Sequence, residues 1–373
     1  MTKGMSSLKI RVMVTAAGGG VGLSVLRALK NSSLDLYIVG IDINPWAIGL
    51  YSCDKGYLVP PAGDVNYREK IIDICLKESI DILIPGSDPE LPHLAELSHQ
   101  LIAEGVLPLV GSMESVQICR DKQKAYQYFI EKKMPFVKTM LLNDSDNYLE
   151  ILEMEMPLII KPAGGSSSKD VHVVFDRKEL EQFRGINNFI VQEYLIAQQW
   201  KINKFDLSLS SVMLNGSLVQ KDEISIQILL DRKGIPFASF CSSNSLKEGV
   251  PSTVDPIKGT EAEAIAWKMA ETLGEVGLIG PCNFQCKVTD KGPVFFEINP
   301  RFTGITAVRA LFGFNEVEAL IRLFHLHEKL DILRQMLQYD DSLLCSRYVT
   351  EYVMNRDKFN LIVKEAVIDN QYD

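Results

Sequence analysis

The stretch Phe295-Phe296-Glu297-Ile298-Asn299-Pro300-Arg301 sets a carboxylate, an amide and a guanidinium within a few residues of one another. Read as a strand, alternation sends Phe296 and Ile298 to one face and Glu297 and Asn299 to the other. Upstream, Asn283 and Gln285 share one parity of a strand-like run, and Cys282, Phe284 and Cys286 share the apolar one. If the two runs pair through the short turn at Asp290 to Gly292, Gln285 meets Glu297. A few side-chain oxygens that leave room for water and phosphate oxygens are what magnesium-nucleotide sites use. The same pattern also describes the solvent-facing polar edge of a hairpin, and the residues alone leave both readings open. Cys282 and Cys286 have no second pair downstream and read as core cysteines rather than metal ligands.

Lys161 closes the apolar run from Pro157 and precedes Pro162-Ala163-Gly164-Gly165-Ser166-Ser167-Ser168. Such small residues let backbone N–H groups approach phosphate oxygens, although a glycine-serine stretch is equally an ordinary turn. Lys122, after Asp121, is either a cation aimed at phosphates or a solvated helix residue. Near the start, Gly18-Gly19-Gly20-Val21-Gly22 followed by Asp42 could cradle a pyrophosphate at a helix N-terminus and hold a ribose. A lone glycine pattern is weak evidence, but it makes an NAD-dependent dehydrogenase the first rival reading.

The elements that position these residues change character along the chain. Ile10 to Val14, Leu36 to Ile43, Ile80 to Pro85 and Leu107 to Val110 read as strands alternating with helices at Val21 to Lys30 and Tyr67 to Glu78, which predicts a parallel, doubly wound α/β sheet. Ser115 to Lys133 reads as one helix linking this sheet to the middle of the chain. From Pro157 the pattern is strand-rich α+β: Pro157 to Lys161, Val171 to Phe175, Asn188 to Leu195, Glu223 to Leu230, Pro236 to Ser242, Cys282 to Thr289 and Pro293 to Asn299. Asn215-Gly216 is a hairpin signal, Thr260 to Leu273 is an amphipathic helix, and Phe312 onward is mostly helical.

Taken together, Glu297-Ile298-Asn299-Pro300-Arg301-Phe302-Thr303-Gly304 and the upstream Asn283-Phe284-Gln285 resemble the metal-binding signature of the ATP-grasp family. The likeness is to its carbamoyl-phosphate synthetase large-subunit and biotin carboxylase branch, and it runs from about Leu8 to Ala319. Gly40-Ile41-Asp42-Ile43-Asn44-Pro45 and Pro85-Gly86-Ser87-Asp88-Pro89-Glu90-Leu91 are similar to the front domain of the carbamoyl-phosphate and pyrrolysine-biosynthesis branches, where that sheet is not a nicotinamide site. The resemblance implies a Rossmann-like pre-ATP-grasp domain over 1–114, then a two-lobed ATP-grasp fold over 115–325 and a helical or extended segment over 326–373. The small lobe would span about 125–192 and the large lobe about 193–325. It implies ATP and two magnesium ions, with manganese as a substitute. Glu297 would bridge both ions, Gln285 and Asn299 would each complete one, and Arg301 would face the phosphate being transferred. Gln285 stands where many members carry an acid.

By the same resemblance Lys161 and Lys122 are the phosphate lysines, and Gly164, Gly165, Ser166, Ser167 and Ser168 form the loop that closes over ATP. Glu193, Tyr194 and Leu195 line the adenine edge, and Glu223 lies near the ribose. The stretch from Ile196 to Lys221 is longer than usual, and Gln227 sits where the family often has aspartate. The implied activity is that of a ligase that activates a carboxylate, or bicarbonate, as an acyl phosphate for a nucleophile, most commonly an amine. A non-catalytic ATP-binding regulatory module is the second rival, opposed by the joint presence of Lys122, Lys161, Gln285, Glu297, Asn299 and Arg301.

The chain of 373 residues is 46% hydrophobic and 23% charged, enough for more than one packed core. A net charge of −9 argues against a nucleic-acid partner, since no basic stripe is visible. Seven cysteines without framework spacing fit a reducing compartment, and the cytoplasm is the expected location. Met1 to Lys9 lack a signal-peptide pattern and no apolar run is long enough for a membrane span. The expected partners are a small carboxylate and an amine, and a homodimer is compatible with this reading. Neither a second ATP-grasp half nor a glutaminase or biotinyl-carrier segment is present, so a complete carbamoyl-phosphate synthetase is not expected.

Overall fold

The computed structural model describes residues 9–142, 148–164, 170–196, 213–214, 217–247 and 249–371. The chain forms two compact units that do not follow its linear order. The first gathers the residues up to Gly111 with Arg301–Tyr339 and the stretch from Val349 on, and the second holds Ser112–Pro300 with Asp340–Tyr348.

In the first unit the apolar runs become β1 (Ile10–Val14), β2 (Leu36–Asp42), β3 (Lys55–Leu58), β4 (Ile82–Ile84) and β5 (Leu107–Pro108). They pair in parallel in the order β3-β2-β1-β4-β5. Val12, Met13, Val14, Ile82, Leu83 and Ile84 are inaccessible to solvent, as strands covered on both faces should be. Two strands in this sheet depart from the sequence expectation. β3 has no apolar run of its own, and Val367–Asp369, from a tail that reads as mostly helical, pairs antiparallel with it. The reason is packing. Ile368 and Ile362 bury themselves against Ala47, Leu50 and Tyr51 and cover what would otherwise be an open sheet edge. The helices Thr306–Leu311 and Glu316–Phe324 dock on the helix Gly20–Lys30, where Ser24 Oγ accepts from Ala307 N at 2.8 Å and Asn315 Nδ2 donates to Ala28 O at 3.1 Å.

In the second unit the single helix expected over Ser115 to Lys133 is two helices, Met113–Arg120 and Lys122–Glu131. Asp121 adopts an extended backbone, and its carboxylate accepts from Gln123 N and Lys124 N, so it breaks one helix and caps the next. Lys122 thereby opens a helix instead of lying within one. A small antiparallel sheet comes next, of β6 (Thr139–Leu141), β7 (Leu158–Pro162), β8 (His172–Val174) and β9 (Phe189–Glu193), in the order β6-β9-β7-β8. Met140, Leu158, Ile160, Val174 and Val191 pack it against Ile151 and Leu180.

The larger sheet contains β10 (Met213–Leu214), β11 (Ser217–Leu230), β12 (Pro236–Lys247), β13 (Val250–Ile257), β14 (Gly280–Thr289) and β15 (Gly292–Asn299). The order is β15-β14-β11-β12-β13 and then the short strand Cys345–Ser346, antiparallel throughout, with β10 paired to β11. β10 and β11 lie on either side of positions 215 and 216, which are outside the described residues. β13, with two prolines, was not expected as a strand. One face of this sheet packs on the helix Glu261–Glu275. Ile226, Ile228, Cys241, Cys282, Phe284, Cys286, Phe295 and Ile298 meet Ala262, Ala266, Met269, Ala270 and Leu273 there. Each large side chain so buried contributes about 1.5–3 kcal/mol. Alternation then sends a polar set to the opposite face, and that set is the floor of the candidate site.

Candidate active site

Four neighbouring strands supply the floor. Gln285 on β14 lies opposite Glu297 on β15, and Asn283 lies opposite Asn299. Across β14's other edge, Ser225 of β11 lies opposite Gln285 and Gln227 opposite Asn283. One strand further, Glu223 lies opposite Asn244 of β12 and Ser225 opposite Ser242. Side chains link these positions: Gln285 Nε2 donates to Glu223 Oε1 at 2.7 Å, Asn283 Nδ2 to Ser225 Oγ at 2.9 Å and Asn299 Nδ2 to Glu297 Oε1 at 3.3 Å.

Between β14 and β15 strict alternation fails at one place. The register of β14 on β15 shifts between Gln285 and Cys286, so that Cys286 faces Phe295 and Phe296 is the extra residue of a bulge. Phe295, not Phe296, therefore enters the core beside Ile298. Phe296 is only partly buried at the margin of that core, and Lys161 Nζ lies 5.6 Å from its ring centroid.

Lys161 is the penultimate residue of β7 and is almost fully buried, as is Lys122. The start of the Lys122 helix is fixed to the end of β7 by Lys122 N donating to Ala163 O at 3.3 Å. Burial first, and then the charge of Lys122, pull the Lys161 ammonium down to about 8, against the pull of Glu297 and Glu223. Burial, and then Glu297, push the Glu223 carboxyl up to about 7, against Lys287, the Gln285 hydrogen bond and Lys161. Two cations and two acids are thus held close enough to repel their own kind in a desolvated place. That is unfavourable for the bare protein and suited to a polyphosphate with its cations.

At the end of β9, Tyr194 N donates to Pro157 O at 3.3 Å, and Leu195 O accepts from Lys287 Nζ at 3.4 Å, which ties this segment to β14. Glu193 is exposed, and Gly164 is the last residue described before the glycine-serine stretch. Gly165, Ser166, Ser167 and Ser168 lie outside the described residues, as does most of 196–221. The second unit therefore brings Lys122, Lys161, Glu223, Gln285, Glu297 and Asn299 to one region. Arg301 belongs to the first unit, where it is buried in an ion pair with Asp88.

Ser225, Ser242, Asn244 and Lys287 also belong to this region, and none of them stands out as a site residue in the sequence. Glu223-Ile224-Ser225-Ile226-Gln227 and Ser242-Ser243-Asn244 carry a period-two polar signal that could have located the first three. Gln227 is completely buried, and among the described residues neither its amide nitrogen nor its oxygen has a hydrogen-bond partner; the same is true of Ser242 Oγ and Asn244 Oδ1.

The oxygens a magnesium ion could use on this floor are one carboxylate, Glu297, and the amides of Gln285 and Asn299. Among the described residues no group of three or more His, Cys, Asp or Glu gathers as a metal cluster. Hard oxygen donors with little protein charge fit a magnesium ion whose remaining ligands come from phosphates and water.

The front glycine loop is built differently. A Cβ on Gly18 would lie 2.4 Å from Ala47 Cβ, and one on Gly22 would lie 2.2 Å from Ala16 O, so close packing demands both glycines. Asp42, the acid a ribose would need, accepts from Gly18 N at 2.8 Å and Asn44 N at 2.9 Å. The loop and its acid satisfy each other, which weakens the dehydrogenase reading.

Comparison with known proteins agrees with this fold. The family model of the ATP-grasp domain matches residues 119–305, half of the chain, and that of the PylC-like N-terminal domain matches 12–109. The chain belongs to the ATP-grasp family, whose members are ATP-dependent ligases and carboxylases. A sequence relative, the carbamoyl-phosphate synthase of Methanobrevibacter smithii, is 22% identical over 84% of this chain and 80% of its own length. The biotin carboxylase domain dimer of the Hydrogenobacter thermophilus 2-oxoglutarate carboxylase, solved with MgADP, ADP and bicarbonate, superposes with a TM-score of 0.63 at 18% identity, covering 88% of this chain and 72% of that one. The L-amino acid ligase of Bacillus licheniformis gives a TM-score of 0.59 at 14% identity, covering 85% and 74%. Among the described residues no helix is long and apolar enough to cross a membrane.

Proposed function

We propose that this chain is an ATP-dependent ligase that activates a carboxylate as an acyl phosphate and joins it to an amine. The observation that carries the reading is the gathering of buried Lys122, Lys161 and Glu223 with half-buried Glu297 on the polar floor. In the first step a carboxylate oxygen attacks the γ-phosphorus of ATP, the bond from that phosphorus to the β,γ-bridging oxygen breaks, and ADP departs. In the second step the amine attacks the acyl carbon, phosphate leaves, and the nitrogen gives up a proton. Phosphoryl transfer depends on alignment and on spreading charge over the transferred oxygens.

Lys161 and Lys122 provide the cations for the phosphates, and Arg301, two residues beyond Asn299, provides the third. Glu297, Gln285 and Asn299 would hold magnesium, which when bound neutralises phosphate charge; manganese is the alternative ion for the same oxygens. Gly164, where the glycine-serine stretch begins, lets its backbone N–H approach the phosphates. Glu193 to Leu195 meet the adenine edge, with Leu195 contributing its N–H because its carbonyl is engaged by Lys287. Glu223 faces the ribose. An amino acid ligase and a carbamoyl-phosphate synthase among the similar proteins favour an amine acceptor and leave the carboxylate to be either organic or bicarbonate.

The test is nucleotide release against a panel of amino acids, sugar acids and bicarbonate, and then hydroxylamine in place of the acceptor. ADP, phosphate and a hydroxamate are expected. Formation of AMP and pyrophosphate would replace this reading with acyl-adenylate chemistry, and phosphate release with no trappable acyl group would remove the ligase assignment.

A further inference from the structure

In the first unit Arg301 Nε donates to Asp88 Oδ1 at 2.8 Å and Nη2 to Asp88 Oδ2 at 2.6 Å, a side-on bidentate pair. Nη1 donates to Phe302 O at 2.8 Å, and both charged side chains are close to fully buried. Such a fork fixes the plane of a guanidinium as well as its position, which a point cation could not match. Asp88 is itself rigidly placed. It comes after Gly86-Ser87 at the end of β4, where Gly86 N donates to Thr15 Oγ1 at 2.9 Å. Glu90 collects Ser87 Oγ at 2.6 Å, Thr15 Oγ1 at 2.7 Å and Tyr67 OH at 2.8 Å. A Cβ on Gly86 would lie 1.9 Å from Thr15 O, so the loop lies directly against β1. Arg301, at the start of the segment that leaves the metal-ligand strand, is thereby anchored to the loop that closes β4.

We infer that Asp88 is the positioning residue of the phosphoryl-transfer arginine, and that the front sheet serves the reaction through this carboxylate and not through its glycine loop. The inference rests on the role proposed for Arg301 above. It assigns Asp88 no contact with substrate: its carboxylate holds the guanidinium in one plane and offsets a charge that burial would otherwise leave costly.

The test uses the full chain and Mg-ADP with aluminium fluoride, a mimic of the transferred phosphoryl group, so the carboxylate need not be known. Calorimetry gives the affinity for Mg-ADP alone and with the mimic for the native protein, Asp88→Asn, Arg301→Ala and the double variant. Asp88→Asn is expected to weaken retention of the mimic by about tenfold or more while the affinity for Mg-ADP stays within about twofold. In the Arg301→Ala background it should have no further effect, because it acts through the arginine. If Arg301→Ala weakens the mimic but Asp88→Asn does not, or if Asp88→Asn weakens it equally without Arg301, the inference is overturned and the ligase reading stands. If Arg301→Ala leaves the mimic unaffected, the proposed role of Arg301 fails and this inference fails with it. Should Asp88→Asn not fold, Asp88→Glu keeps the ion pair but moves the guanidinium by one methylene, and it must show the same selective loss; native retention in that variant would also overturn the proposal.

Discussion

Each unit holds acids among polar or charged neighbours, and the two hold them in opposite ways. In the first, Asp42 accepts from the backbone N–H groups of Gly18 and Asn44, and Glu90 accepts from Ser87, Thr15 and Tyr67. Glycine is required there because neighbouring backbone leaves no room for a side chain. In the second, Lys161 is held against Lys122, and Glu223 against Glu297, in surroundings that oppose charge. Polar groups that satisfy one another build a scaffold, whereas like charges forced together indicate a partner that relieves them. A glycine-rich turn in sequence therefore says little about binding until the surroundings of its acid are known.

The contrast breaks most sharply at Glu297. Glu297→Gln and Asn299→Ala are expected to reduce ADP formation by about a hundredfold or more while the melting curve keeps its native shape. Normal turnover in both variants would leave the polar floor without its chemistry. Gly22→Ala sharpens the comparison from the other side. Its Cβ would meet the backbone oxygen of Ala16, so a loss of about 1–3 kcal/mol in stability is expected. The fraction that folds should bind Mg-ATP as the native protein does, and neither should bind NAD or NADP below millimolar concentration. Nicotinamide binding that Gly22→Ala abolishes would reverse the roles given to the two loops.

Much of this is legible from residue order alone. The parallel front sheet, the β14–β15 hairpin and the meeting of Gln285 with Glu297 come from hydrophobic runs, a short turn and alternation. What escapes depends on partners distant in the chain. β3, of sequence Lys-Gly-Tyr-Leu, owes its place to β2 and to a strand more than three hundred residues away. The bulge that exchanges Phe295 for Phe296 is a matter of register, and two adjacent phenylalanines give alternation no way to choose between them. The break at Asp121 is readable, since an acid ahead of a helix start is a capping signal, but the apolar spacing on both sides hides it. The hold of Asp88 on Arg301 spans the chain and has no local signature.

A smaller effect is expected at Glu78, a structural counterpart to the acids of the floor. Its carboxylate accepts from Lys55 Nζ at 2.8 Å and from Tyr57 OH, with Arg11 also paired to it. Burial pushes its pKa up, but these hydrogen bonds and charges outweigh burial and leave it below the ordinary carboxylate value. A depressed folded-state value contributes stability that is present above the unfolded-state pKa and lost as pH falls through the folded one. Glu78→Gln should therefore lower stability at neutral pH by about 1–3 kcal/mol, and the gap from the native protein should close in acid. A constant gap in denaturant titrations at pH 7 and pH 3 would mean that packing, not charge, is what Glu78 supplies.

The smallest expected change has the opposite sign and bears most directly on the comparison. Gln227 lies on the polar floor beside Asn283, inaccessible to solvent and with neither end of its amide hydrogen-bonded among the described residues, whereas the buried acids of the first unit are each engaged. A buried amide without partners carries its desolvation penalty with nothing to offset it. Gln227→Met keeps the length and flexibility of the side chain and removes both polar atoms, so it should raise stability by about 1 kcal/mol. If stability is the only consideration at this position, ADP formation will be unchanged. If the amide is kept because the floor must stay polar while nucleotide and substrate are bound, the more stable variant will turn over more slowly, a trade expected where a site is built at the expense of its fold. Denaturation midpoints measured with and without Mg-ATP separate the two cases, since a polar role predicts that the nucleotide stabilises the native protein more than the variant. A variant that is less stable than native without ligand would show that Gln227 has an unrecognised partner and would remove the contrast between the engaged acids of the front unit and the unsatisfied amide of the floor.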